Sequence, residues 1–170
     1  MKFYIKNKEN AEAGNDLKEP HVIISINFPR TVVFVDECEE VAVPATNEYT
    51  KEVLSLFFSD VGRLSNPYDD DAKSNPRCVP FNKEMACQVI DLLERNKVEH
   101  IIVHCLGGAS RSPSLADALS MYFNDENSWF IMNDLVYQVM LEALVECYGS
   151  EYDQENKSCW YKDQENYCER

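Results

Sequence analysis

Apolar positions along the chain follow two periods, and the strands come first. Val22-Ile23-Ile24-Ser25-Ile26 and Ile101-Ile102-Val103 are runs rich in β-branched residues with little polar alternation, the pattern of strands buried on both faces of a sheet. Pro29 ends the first, because proline cannot donate to a central ladder. Lys51 to Phe58 carries Val53, Leu54, Leu56, Phe57 and Phe58 and predicts a strand with apolar residues on both faces. Phe3-Tyr4-Ile5 is short and predicts an edge strand or a docked terminus; residues 6 to 20, polar and containing Gly14 and Pro20, predict a loop. Val32 to Val35 is a further short apolar run, followed by an acidic turn from Asp36 to Glu40 and then Val41-Ala42-Val43. His21, just ahead of a strand and with no second ligand nearby, is expected at the surface.

The helical period takes over in three places. Asn82 is placed to cap a helix, with Phe81 as its hydrophobic staple, and Met85, Ala86, Val89, Leu92 and Leu93 form one stripe running to about Lys97. Met85 and Cys87 are expected in the core. Ser114 to Phe123 carries Leu115, Ala118, Leu119 and Tyr122 on one side; Asn124 to Ser128 predicts a turn. Asn133 to Cys147 is a further amphipathic helix, with Leu135, Val136, Val139, Met140, Ala143, Leu144 and Cys147 inward and Gly149 as its stop. Between Ser59 and Pro80 neither period holds: three prolines, one glycine and Asp69-Asp70-Asp71 predict a long lid or a disordered insertion.

Strands alternating with helices predict an α/β fold, with a central mostly parallel sheet of four to five strands flanked by helices. The chain of 170 residues suits one domain over 1–150, followed by a polar acidic tail over 151–170 in which Asp-Gln-Glu-Asn occurs at 153 and again at 163. Seven cysteines, an odd number without a C-x-x-C pair, predict neither a disulfide framework nor a zinc site. No apolar run approaches membrane-spanning length, and the first residues lack a signal-peptide core, so a cytoplasmic, reducing setting is expected. A net charge of −14 argues against nucleic acid and anionic membrane as partners, since both demand a basic face. The same charge repels any anionic ligand at long range, so attraction of one must be local.

Chemistry concentrates in His100 to Pro113, where a buried strand runs through Gly107 and Gly108 into a helix start. A loop of this length can curl its N–H groups toward one centre, an anion-binding nest whose field adds to the helix N-terminus. Cys105 then sits at the bottom, in a setting that favours a thiolate. Arg111 closes the side with a planar fork that matches two phosphate oxygens, and Ser112 can donate a hydroxyl hydrogen bond to the sulfur. Leu106, Gly107, Gly108, Ala109, Ser110 and Arg111 would supply the phosphate-binding amides. These loop positions hold no lysine or second arginine, which disfavours the more highly charged ligands.

His104-Cys105-x-x-Gly108-x-x-Arg111-Ser112 resembles the signature loop of the cysteine-dependent protein tyrosine phosphatases, and Ser110-Arg111-Ser112-Pro113 is closest to the dual-specificity branch. The resemblance implies a phosphatase-like fold and hydrolysis of a phosphorylated protein or small phosphate ester through a phosphocysteine, without cofactor or metal. Cys105 would be the nucleophile, reversibly inactivated by peroxide. His104 would point away from the substrate and hold the loop through a backbone hydrogen bond. Gly107 stands where the family often has alanine. The family takes its general acid from a loop after a central strand, and Phe58-Ser59-Asp60 matches that position. Asp60 lies far ahead of Cys105, however, and Asp71 competes at closer spacing. Two rivals stay open: a catalytically inactive phosphate-binding module, and a sulfur-transfer or arsenate-reducing enzyme. Nothing in the chain fixes its oligomeric state.

Overall fold

A computed structural model describes residues 1–29, 41–62, 78–123 and 132–149. The run Val32 to Val35, the acidic turn Asp36 to Glu40, Asp71, the turn Asn124 to Ser128 and the tail 151–170 lie outside the described residues. Four strands, β1 (Lys2–Asn7), β2 (His21–Asn27), β3 (Thr50–Phe57) and β4 (His100–Cys105), form one sheet in the order β1-β4-β2-β3 with every pairing parallel. The two central strands are the two continuous apolar runs, and all seven residues of β2 are buried. Such sequences suit a parallel strand covered on both faces.

Strand alternation sorts the sheet into two sides. Val22, Ile24, Ile26, Leu56, Ile101, Val103 and Cys105 share one core with three helices: α2 (Lys83–Asn96), α3 (Arg111–Tyr122) and α4 (Asp134–Tyr148). Val89, Leu92 and Leu93 come from α2, Leu115 and Leu119 from α3, and Met140 and Leu144 from α4. Asn82 caps α2 by accepting from the Met85 N–H at 3.1 Å, over a buried Phe81, as the sequence predicts. Cys87 is half-buried at the edge of this layer. Among the described residues no helix is long and apolar enough to cross a membrane.

The other side carries His21, Ile23, Ser25, Asn27, Ile102 and His104, all buried. Two expectations fail here. Residues 6–20 are not all loop, because Lys8–Ala13 forms a helix, α1, capped by the Asn7 side chain accepting from the Asn10 N–H at 2.8 Å. Six residues are too few for a periodic signal; the helix forms because Ala11, 3% exposed, packs down. His21 is not at the surface but fully buried. Its Nδ1 meets the Glu19 carbonyl at 2.7 Å, so Nδ1 carries the proton and Nε2 accepts from Asn15 Nδ2 and Thr50 Oγ1, both at 2.8 Å. Three polar neighbours make the burial tolerable. Val41-Ala42-Val43 is irregular rather than extended in a sheet; the Ala42 N–H donates to Asn27 Oδ1 at 2.9 Å and so lays this segment over the end of β2.

Candidate functional site

All four strands run the same way, so Asn7, Asn27, Phe57 and Cys105 end at one edge of the sheet. In open α/β sheets this carboxyl edge is where ligands bind. Cys105 is the last residue of β4, and Arg111 is the first of α3, which places residues 106–110 in the connecting loop. The loop bends at Gly108, whose φ is 66°; a Cβ there would meet Asn7 N and Lys6 O at 3.0 Å. Glycine is required twice over, by the left-handed backbone and by the close approach of β1. The Lys8 N–H donates to the Leu106 carbonyl at 3.0 Å and ties the other arm of the loop to α1.

Two sequence-predicted residues meet across this turn, and Arg111 stands next to one of them in the chain. Cys105 Sγ lies 3.2 Å from Ser112 Oγ, a contact between the strand end and the first turn of the helix. Arg111 is 2% exposed. Its Nη1 donates to the Phe58 carbonyl at 2.9 Å, with Asn27 O at 3.4 Å, and its Cζ lies 4.2 Å from the centre of the Phe28 ring. The guanidinium plane is therefore fixed by a carbonyl on one edge and an aromatic face above it.

Asp60 also reaches the loop, but through Ser110. The Ser110 hydroxyl donates to Asp60 Oδ1 at 2.7 Å, and Asn133 Nδ2 donates to the same oxygen at 2.9 Å. Asn133 is fully buried; its Oδ1 caps α4 at the Val136 N–H and its own N–H donates to Ser114 Oγ at 2.9 Å. The segment after β3, the loop and the starts of α3 and α4 thus form one hydrogen-bonded unit. A cleft on the β1 and β2 side of the loop is lined by Lys8, Asn27, Phe28, Ala42, Cys105 and Leu106. Its lining takes in no loop residue beyond Leu106 and does not include Arg111.

His104 departs from expectation. It is fully buried, and neither ring nitrogen has a hydrogen-bond partner among the described residues, so no backbone bond from this side chain holds the loop. Strand alternation puts it on the face opposite Cys105. Burial pushes its pKa down to about 4; the Glu12 carboxylate opposes the shift, and the Lys6 and Lys8 cations add to it. His104 is neutral at pH 7 in both folded and unfolded chains. Below 6.5 the unfolded chain takes up a proton that the folded one does not, so stability falls as pH drops toward 4. The loss expected from urea unfolding between those limits is about 3 kcal/mol. Replacing His104 with leucine should flatten that slope; a slope unchanged in His104→Leu would assign it elsewhere. Glu52, held down to about 2 by Arg95 and Asn96, adds its own loss as pH falls from 4.5 toward 2.

The sequence reading missed Asn27, Phe28 and Asn133. Asn133 had a visible signal as a cap before the α4 stripe; the other two are read only once β2 lies beside β4. Among the described residues no three His, Cys, Asp or Glu side chains gather as a metal site. No protein-family model matches the chain, and no curated protein matches its sequence.

Proposed function

We propose that the chain is a phosphate monoester hydrolase working through a phosphocysteine, of the protein tyrosine or dual-specificity kind. The observation that carries this reading is the meeting of Cys105 Sγ with Ser112 Oγ at 3.2 Å, beside a buried Arg111 oriented by Phe58 O and Phe28. A hydroxyl against the sulfur can donate to it as the S–P bond breaks, and an oriented guanidinium matches a phosphoryl group better than a mobile one.

The step balances with the chain's own groups. The Cys105 thiolate attacks phosphorus, the S–P bond forms as the bond to the leaving oxygen breaks, and that oxygen takes a proton from a carboxylic acid. Water then attacks phosphorus, its proton returns to the same carboxylate, and the S–P bond breaks with the thiolate stabilised by Ser112. Inorganic phosphate leaves.

Asp60 supports a second reading as well. Its Oδ1 already accepts from Ser110 and Asn133, which suits an anchor for the loop as readily as an acid. An anchor without an acid elsewhere would leave a phosphate-binding module that does not turn over.

Hydrolysis of an aryl phosphate by the wild type beside Cys105→Ser tests the main reading. Activity should fall by at least about 10⁴-fold in the variant, since removal of a covalent nucleophile typically costs this much. No turnover by the wild type, with phosphate still bound, selects the module. Asp60→Asn separates acid from anchor, because an amide oxygen still accepts from Ser110 and Asn133 but delivers no comparable proton. An acid predicts a loss of about 10²-fold on a substrate with a poor leaving group and little on one with a good leaving group. Equal, small effects on both leave Asp60 as an anchor only.

A further inference from the structure

Cysteines that the Cys105 site does not use lie where α2 packs on α4. Cys87 of α2 and Cys147 of α4 are both free thiols and both half-buried. The contacts on either side draw them together. Lys83, the first residue of α2, pairs with Glu146 in the last turn of α4, and the Tyr148 hydroxyl donates to Glu94 Oε1 at 2.8 Å. Lys83, Cys87 and Glu94 recur at helical spacing on one stripe of α2, while Glu146, Cys147 and Tyr148 are consecutive on α4. Each cysteine therefore stands between two residues of its own helix that touch the other helix. The electrostatics agree with this placement. Burial pushes the Cys147 thiol up, charge on Cys87, Glu94 and Glu146 adds to the shift, and Lys83 opposes it, so these groups surround one sulfur.

We propose that Cys87 and Cys147 are a redox pair that a hydroperoxide closes into a disulfide, clamping the C-terminal end of α4 onto α2. With hydrogen peroxide, one sulfur attacks an oxygen, the O–O bond breaks, and a sulfenic acid and water form. The other sulfur then attacks the sulfenic sulfur, the S–S bond forms as the S–O bond breaks, and a second water leaves. The thiol protons and both peroxide oxygens end in water, and the sulfurs supply the electrons. In a reducing setting the bridge is transient, present only while peroxide outpaces the reducing thiols. Asn133 caps the opposite end of α4, where it holds Asp60, so the clamp acts on the end of the helix away from the loop contacts. The proposal stands apart from whether Cys105 turns over a phosphate ester.

The test treats the reduced full chain with hydrogen peroxide, digests it without reductant and maps its peptides by mass spectrometry. A peptide joining Cys87 to Cys147 is expected, and dithiothreitol should part it. The melting temperature should rise by roughly 5–15 °C on oxidation, the effect of closing a long loop in a chain of this size, and fall back on reduction. Cys87→Ser and Cys147→Ser should each abolish the joined peptide and the rise while melting close to the wild type under reducing conditions. The peptide map of the wild type decides the bridge even where a serine variant fails to fold. No joined peptide, a peptide joining either residue mainly to some other cysteine, a bridge without the rise, or a rise that survives both substitutions overturns the proposal.

Discussion

Replacing Arg111 by lysine is expected to lower kcat/KM for an aryl phosphate by about a thousandfold and the free energy of unfolding by about 3 kcal/mol. Both effects come from the same buried plane. Arg111 is 2% exposed, donates to Phe58 O at 2.9 Å and stacks under Phe28. A lysine keeps the charge but loses the fork, so one ammonium would have to serve the Phe58 carbonyl and the substrate by turns. Whichever it serves, the other is left without its donor, and an unsatisfied buried carbonyl alone costs about 1–3 kcal/mol. Steady-state kinetics and urea unfolding of the same preparation read the two losses. A stability loss with kcat/KM down less than tenfold would make Arg111 a structural residue and remove it from the phosphate site.

Why the central strands were legible and α1 was not has a physical cause. β2 and β4 are buried on both faces, so Val22 to Ile26 and Ile101 to Val103 put apolar residues on both sides, with Ser25 the one interruption, and that signal survives in isolation. α1 depends instead on one capping asparagine and one buried alanine, both ordinary in loops. His21 misled for a related reason. A histidine ahead of a strand is commonly exposed, and only the approach of Asn15 and Thr50 supplies the partners that let it be buried.

The candidate site divides along the same line. Cys105, Gly108, Arg111 and Ser112 could be picked out together because they lie within one strand-loop-helix segment, whose geometry is local. Phe28, Asn133 and Lys8 come from three other segments. Each reaches the loop through strand order or a helix start, which the sequence expresses only as a pattern of burial. Asp60 lies between the two cases: the end of β3 was readable, while its commitment to Ser110 and Asn133 required α4 to be in place. The apolar pattern therefore located the loop, and tertiary packing determines what surrounds it.

Two adjacent glycines should respond in opposite senses. Gly108 has φ of 66°, and a Cβ built on it would stand 3.0 Å from Asn7 N and Lys6 O, both backbone atoms of an edge strand already paired to β4. The left-handed conformation costs alanine about 1 kcal/mol, and relief of the contact must move either β1 or the loop, so Gly108→Ala should lose about 2 kcal/mol in all. If the loop moves, its amides no longer converge on one point, and a displacement near 1 Å would cost about a hundredfold in kcat/KM. Gly107 lacks a positive φ, and a Cβ there meets nothing within 4 Å. Gly107→Ala should therefore stabilise the fold by about 0.5 kcal/mol, through the unfolded chain it restricts. Paired urea unfolding and aryl phosphate kinetics on the two variants give the contrast directly. Equal losses would mean that the turn at Gly108 is not what shapes the loop, and a Gly108→Ala protein of full activity would mean that the close approach to β1 has no bearing on the site.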